Sequence, residues 1–111
     1  MTLLKRSVVV MVVVAVLGAG MAVAQAGTAA KGAEVFKGKC AMCHGADAKG
    51  QTPMGKTFKL KDLGSSEVQG QSDAQLKTII EDGKRPMPAY KGKLSAEQVN
   101  DVVAYIRSLK K

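Results

Sequence analysis

Cys40-Ala41-Met42-Cys43-His44 holds both cysteines and the only histidine of this 111-residue chain. Two thiols two residues apart, followed at once by an imidazole, form the attachment signature of a covalent haem. Each thiol can add to one vinyl group on the same edge of a porphyrin. The next residue then lies beneath the iron, where its imidazole can bind. Other readings of the pair are weaker. A Cys-x-x-Cys disulfide closes a very small loop and constrains an unfolded chain little. A thioredoxin-like dithiol needs a strand before the motif, and the residues before Cys40 read as a helix. Zinc would find three ligands in Cys40, Cys43 and His44, but no fourth Cys or His exists.

Upstream of the motif, residues 1–24 have the pattern of a secretory signal. Lys5 and Arg6 form a basic n-region, and Val8 to Leu17 is an unbroken apolar run. Ala22-Val23-Ala24 offers a cleavage site before Gln25, and Ala24-Gln25-Ala26 offers a second. The competing reading is an uncleaved anchor from Val8 to Ala24, just under transmembrane length and weakened by Gly18 and Gly20. Either way the domain is delivered outside the cytoplasm, and the expected location is the periplasm. Residues 25–30 read as a flexible lead and residues 31–111 as one domain. Roughly 85 residues build only a thin core. With no tryptophan, two phenylalanines and two tyrosines, the chain gains from a buried flat cofactor.

The segment entering the motif, Lys31 to Lys39, reads as a helix. Gly32, Phe36 and Cys40 share one face of it. Glycine on a helix face costs stability relative to alanine, so close approach by another helix is expected there. Gly45 to Gly55 reads as loop. In it, the Pro53 carbonyl is a candidate acceptor for the His44 Nδ1 proton, since metal-binding histidines commonly have such a partner. An ordinary turn proline is the other reading. Thr57 to Gly70 has no clean period and reads as loop with one helical turn near 60–68, its Phe58, Leu60 and Leu63 folded under the haem. Ser72 to Glu81 is a better helix, with capping-box spacing from Ser72 to Gln75 and an apolar stripe of Leu76, Ile79 and Ile80. Gly83 suits the residue after it.

Lys84-Arg85-Pro86-Met87-Pro88-Ala89-Tyr90 is the second informative stretch. A methionine between two prolines fits neither a helix interior nor a central strand. The prolines limit the conformations of Met87, which suits a soft sulfur held toward a metal. In isolation such a methionine would read as a filler of an apolar gap; the haem motif favours the axial role. Past residue 24 its rivals are Met42, tied between the two cysteines, and Met54. Lysine ligation or an open position are the remaining options. Ser95 to Leu109 is the strongest helix, capped by Ser95 with Gln98. Its Val99, Val102, Val103, Ile106 and Leu109 form an apolar face, and the Gly32/Phe36 face is the obvious partner.

Taken together, Gly32 and Phe36 before Cys40-Ala41-Met42-Cys43-His44-Gly45, then Met87-Pro88-Ala89-Tyr90, then Val102-Val103-Ala104-Tyr105-Ile106-Arg107-Ser108-Leu109 resemble the small class I c-type cytochromes of bacteria. The likeness spans about residues 31–110. It implies an all-α fold: N- and C-terminal helices crossing, with one or two further short helices and loops wrapped around one covalent haem. It also implies thioethers at Cys40 and Cys43 and an iron held by His44 and Met87. One departure stands out. In the family a leucine often follows the proline after the motif closely; here Met54 and Gly55 follow Pro53.

Two strong ligands fill the iron and leave no place for oxygen or a substrate. A thioether favours the ferrous state and raises the reduction potential. The function expected is therefore one-electron transfer between redox partners, with no enzymatic activity and no small-molecule substrate. The alternatives are a haem enzyme or sensor with a labile sixth ligand, and an electron-delivering subunit of a membrane redox complex. Setting Lys5 and Arg6 aside leaves fifteen basic and nine acidic residues, a net charge of +6. Lys84, Arg85, Lys91 and Lys93 bracket Met87, as a docking surface for acidic patches on redox proteins would require. The plain alternative is a solvated lysine-rich surface. Nucleic acid fits poorly, since the basic residues are not clustered with stacking aromatics.

Overall fold

The computed structural model describes residues 27–111. The signal segment read at residues 1–24, and the second cleavage point after Ala26, lie outside the described residues. Among the described residues six helices follow in order: α1 Ala29–Lys39, α2 Ala41–His44, α3 Pro53–Thr57, α4 Ser66–Gln69, α5 Asp73–Asp82 and α6 Ala96–Ser108. Among the described residues the only β pairings are two isolated bridges.

The first and last helices build the frame. At Gly32, a Cβ would lie 1.9 Å from the Asp101 carbonyl oxygen and 2.9 Å from Tyr105 Cβ. The close approach expected of that glycine is therefore made with α6, backbone against backbone. Phe36, one turn later and 2% exposed, packs its ring 5.1 Å from the Tyr105 ring. Asp101 is buried, and its carboxylate accepts the Thr28 N–H at 2.8 Å. This bond pins the entry of α1, where the helix dipole favours negative charge. Gly27 to Ala30, read from the sequence as flexible lead, are thus partly helical and fastened to α6.

Both capping boxes form. Ser72 with Gln75 starts α5, and Ser95 with Gln98 starts α6. The apolar stripes then meet: Leu76 and Ile80 of α5 join Val99, Val102, Val103 and Ile106 of α6, with Val68 and Leu94. The expected one or two further helices become four, three of them short. Two of those three begin on local caps in stretches that lack a hydrophobic period. Thr52 caps α3 with Pro53 in its first turn, and Ser65 accepts the Val68 N–H at the start of α4. Residues 53–55 are therefore helical where a loop was expected, and the single turn expected near 60–68 sits at 66–69.

Long-range polar bonds close the C-terminal side. Gln69 Nε2 donates to the Leu63 and Ile106 carbonyls at 2.9 and 2.7 Å. Arg107 reaches Asp73 at 2.8 Å and the carbonyls of Gln69, at 3.0 Å, and Gln71. Arg107 thus clamps the α4–α5 connection onto α6, beyond any service to the α6 dipole.

Because the Gly32 contact leaves no room, Gly32→Ala should cost about 1–3 kcal/mol as α1 is forced off α6. Urea unfolding of the haem-loaded protein measures this; an unchanged midpoint would mean that the two helices are free to separate.

Candidate functional site

The motif lies where α1 ends and α2 begins. Cys40 forms the break between the helices, and Cys43 and His44 fall within the single turn of α2. The Thr52 hydroxyl donates to the Cys43 carbonyl and accepts the Gly55 N–H at 2.9 Å. One side chain so caps α3 and ties it to the motif. Gly50 N–H donates to the His44 carbonyl at 2.8 Å. Lys59, at φ +55°, then turns the chain sharply, and Leu60 N–H returns to the Gly55 carbonyl at 2.8 Å. That return brings Phe58 and Leu60 to the walls of a slot beside the motif.

The slot has two joined parts, of about 70 and 280 Å3. Cys40, His44, Phe58, Leu60, Pro86 and Met87 line both. Cys43, Met54 and Tyr90 border the smaller part, while Val68, Leu76, Ile80, Val102 and Ile106 floor the larger. The two stretches singled out in the sequence, more than forty residues apart, thus face one apolar space. Met87 is half-buried and packed on the core cluster, whereas Met54 is 48% exposed.

The Met87 loop is held at several points. Lys84 N–H donates to the Met87 carbonyl at 3.1 Å, and Met87 N–H to the Lys84 carbonyl at 2.7 Å. At Gly83, φ is +76° and a Cβ would meet the Met87 carbonyl at 2.7 Å, so glycine admits the loop to the end of α5. Tyr90 and Lys91 N–H donate to the Ile80 and Glu81 carbonyls, each at 3.0 Å. The Tyr90 hydroxyl reaches the Lys39 carbonyl at 3.0 Å. Sequence reading gave Thr52 no role, placed Tyr90 only within the family motif, and read Arg107 only in that motif and as a charge favourable to the α6 dipole. The Thr-Pro pair at 52–53 is a visible start signal for a helix; the long-range bonds of the other two have none.

Burial holds the His44 imidazole below its usual range, so it is neutral near pH 7. Its Nδ1 is buried without a hydrogen-bond partner. The Pro53 carbonyl, weighed above as that partner, accepts the Thr57 hydroxyl at 2.9 Å. Phe36 stands 6.2 Å from the imidazole, centroid to centroid. Burial, with Cys43 beside it, pushes the Cys40 thiol up to about 11. Reactive dithiols and zinc thiolates are favoured by the opposite shift. Both cysteines are free, and among the described residues no three Cys, His, Asp or Glu side chains converge as a metal site. A neutral imidazole free of protein hydrogen bonds, two unpaired thiols and an apolar slot between them and a thioether fit a haem. They do not fit a redox dithiol or zinc.

The model of the family described as cytochrome c oxidase, cbb3-type, subunit III matches residues 27–106. Cytochrome c6 of Nostoc sp. (strain PCC 7120 / SAG 25.82 / UTEX 2576) is 39% identical over 84 residues, 75% of this chain and 72% of that protein. Cytochrome c6 of Bryopsis maxima is 36% identical over 75 residues, 68% of this chain and 84% of that one. The solved structure of the KustC0563 c-type cytochrome matches with a TM-score of 0.67 and 29% identity, over 72% of this chain and 98% of its own. The chain belongs to the small class I c-type cytochromes. The cytochrome carries one covalently bound haem c with its iron and serves as an electron carrier. Among its described residues no helix is long and apolar enough to cross a membrane.

Thr52→Val keeps the side-chain shape and removes both hydroxyl bonds. The cytochrome should lose about 1 kcal/mol of stability. Urea midpoints of the two haem-loaded proteins test this, and identical midpoints would remove Thr52 as the link between the motif and α3.

Proposed function

We propose that this cytochrome is an exported one-electron shuttle whose haem is bound by Cys40 and Cys43 and whose iron is held by His44 and Met87. The observation that carries the proposal is the shared apolar slot, lined by all four side chains. Bound there, the haem supplies a ferric/ferrous couple. The thiols would hold it covalently, at the end of α1. His44, kept neutral by burial, would offer a ring nitrogen from one segment. Met87, braced by Pro86 and Pro88, would offer its sulfur from the other. The apolar walls exclude water, and a soft thioether raises the potential. With His44 and Met87 both holding the iron, electron transfer would need little rearrangement and no position would be left for a substrate. Catalysis is therefore not part of the proposed role.

The partners proposed are redox proteins with acidic docking patches. Lys84 and Arg85 border the slot and are exposed, and so are Lys91 and Lys93 beyond it. Lys39, Lys59 and Lys61 add to this rim. Positive charge around a redox centre steers acidic partners and raises the encounter rate at low salt. Residues 1–24 are proposed as the signal that exports the chain to the periplasm. The family model matched by residues 27–106, described as an oxidase subunit, favours a second reading. In it the same domain delivers electrons within one membrane complex. Release with the periplasmic fraction, without detergent, supports the shuttle; recovery only with an oxidase complex supports the subunit.

Met87→Ala should abolish the weak far-red absorption of the oxidised protein and lower the reduction potential. Retention of both would reject Met87 as ligand and direct attention to Met54. If the lysine rim guides docking, electron transfer to an acidic partner should slow by roughly tenfold between about 0.01 and 0.15 M ionic strength. A salt-independent rate would leave those lysines as solvated surface.

A further inference from the structure

The last carbonyls of a helix have no partner within it. α1 ends at Lys39, immediately before the first motif cysteine. The N–H that would continue its ladder to the Lys39 carbonyl, that of Cys43, turns instead to the Cys40 carbonyl at 3.3 Å, which also accepts the His44 N–H at 3.0 Å. The Lys39 carbonyl is thereby left outside the ladder. The Tyr90 hydroxyl donates to it at 3.0 Å, across 51 residues of sequence.

Tyr90 is itself well anchored. Its ring borders the smaller part of the slot and packs on the core cluster. Its own N–H donates to the Ile80 carbonyl at the end of α5. Met87 lies three residues earlier, and Pro88 between them has a fixed φ that restricts hinging. Upstream, the paired Lys84 and Met87 backbones close the other side of the loop. An outward swing of residues 86–90 large enough to withdraw Met87 from the slot must therefore break the Tyr90–Lys39 bond.

We infer that Tyr90 is a positioning residue: its hydroxyl staples the Met87 loop to the residue that precedes Cys40, and so slows departure of the Met87 sulfur from the iron. The inference rests on the proposed ligation by Met87. It assigns Tyr90 no contact with the iron and no part in electron transfer beyond holding the ligand in place. The bond joins the segment carrying the thioether cysteines directly to the segment carrying the sulfur ligand. Loop and attachment site would therefore move as one body.

Tyr90→Phe keeps the ring and removes only the hydroxyl. The test uses the oxidised, haem-loaded protein mixed rapidly with imidazole, a small ligand that enters only when the native sixth ligand leaves. The observed rate should reach a plateau at high imidazole, and that plateau reports departure of the sulfur. Loss of one hydrogen bond should raise it by about 3- to 10-fold in Tyr90→Phe, with the far-red band still present at neutral pH. A plateau unchanged within twofold overturns the inference, even if the variant melts earlier, because a merely structural phenol would lower stability without freeing the sulfur. Lys93, whose Nζ lies 6.0 Å from the Tyr90 ring centroid, provides a second variant. Lys93→Ala leaves the hydroxyl bond in place and should keep the wild-type plateau; a rise matching that of Tyr90→Phe would move the effect from the hydroxyl to the ring and overturn the assignment. A wild-type protein with no far-red band, or one that binds imidazole without a plateau, would instead remove the Met87 reading beneath it.

Discussion

The contact between Gly32 and the Asp101 carbonyl sets the geometry on which everything else depends. Two helices can approach backbone to backbone only where a side chain is missing, and a Cβ at position 32 would overlap the carbonyl at 1.9 Å. With that point closed, Phe36 comes against Tyr105, and the Asp101 carboxylate reaches Thr28 at the start of α1. The direction of α1 is then determined at both its start and its middle. Its end, Lys39, delivers Cys40 to the edge of the slot floored by Val102 and Ile106 of the opposing helix. The attachment motif is thus placed by packing two turns upstream of it.

The remaining wall is built from segments with little regular structure, and here polar bonds take over from apolar stripes. Thr52 joins the motif to α3, Gln69 and Arg107 hold the α4–α5 connection to α6, and Tyr90 joins the Met87 loop to α1. Thr52, Arg107 and Tyr90 satisfy carbonyls at helix ends, and the Ile106 carbonyl that Gln69 reaches also accepts the Leu109 N–H. Such bonds are individually modest, about 1 kcal/mol net. Their effect is to limit how the loops can move, and a small chain with few large apolar residues has little else to do this with. The slot that results is apolar on its walls and positive at its rim, where Lys59, Lys84 and Arg85 gather from two loops beside Lys61, which pairs with Glu67. A cofactor buried in it would complete a core that valines and isoleucines alone leave thin.

Local chemistry was legible in the residues. Cys40, Cys43 and His44 are read as the haem-binding residues because covalent attachment demands that spacing. Met87 is proposed beside them because its flanking prolines limit its conformations and the haem motif favours an axial role over that of an apolar filler. The two Ser-x-x-Gln boxes marked α5 and α6 to within a residue, since a cap acts over one turn. Gly32 was readable as a point of close approach because its cost needs a compensating contact. Less was legible between residues 45 and 70, where no hydrophobic period exists and the short helices rest on single hydroxyl caps. Residues 27–30 of the lead differ from expectation for a related reason: they are held by Asp101, more than seventy residues away from Thr28.

By itself, then, the sequence determined which residues are candidates to meet a haem, because thioether spacing, a sole histidine and a proline-framed methionine are properties of a few adjacent residues. Only the tertiary structure decided that His44 and Met87 line one slot, that Pro53 binds Thr57 in place of the imidazole, and that Tyr90 spans from the Met87 loop to the end of α1. These depend on where helix α1 comes to rest against α6 and on which carbonyls are left unpaired once it has. No local pattern encodes that, because a free carbonyl has no side chain to mark it and accepts whichever donor the packed chain brings near.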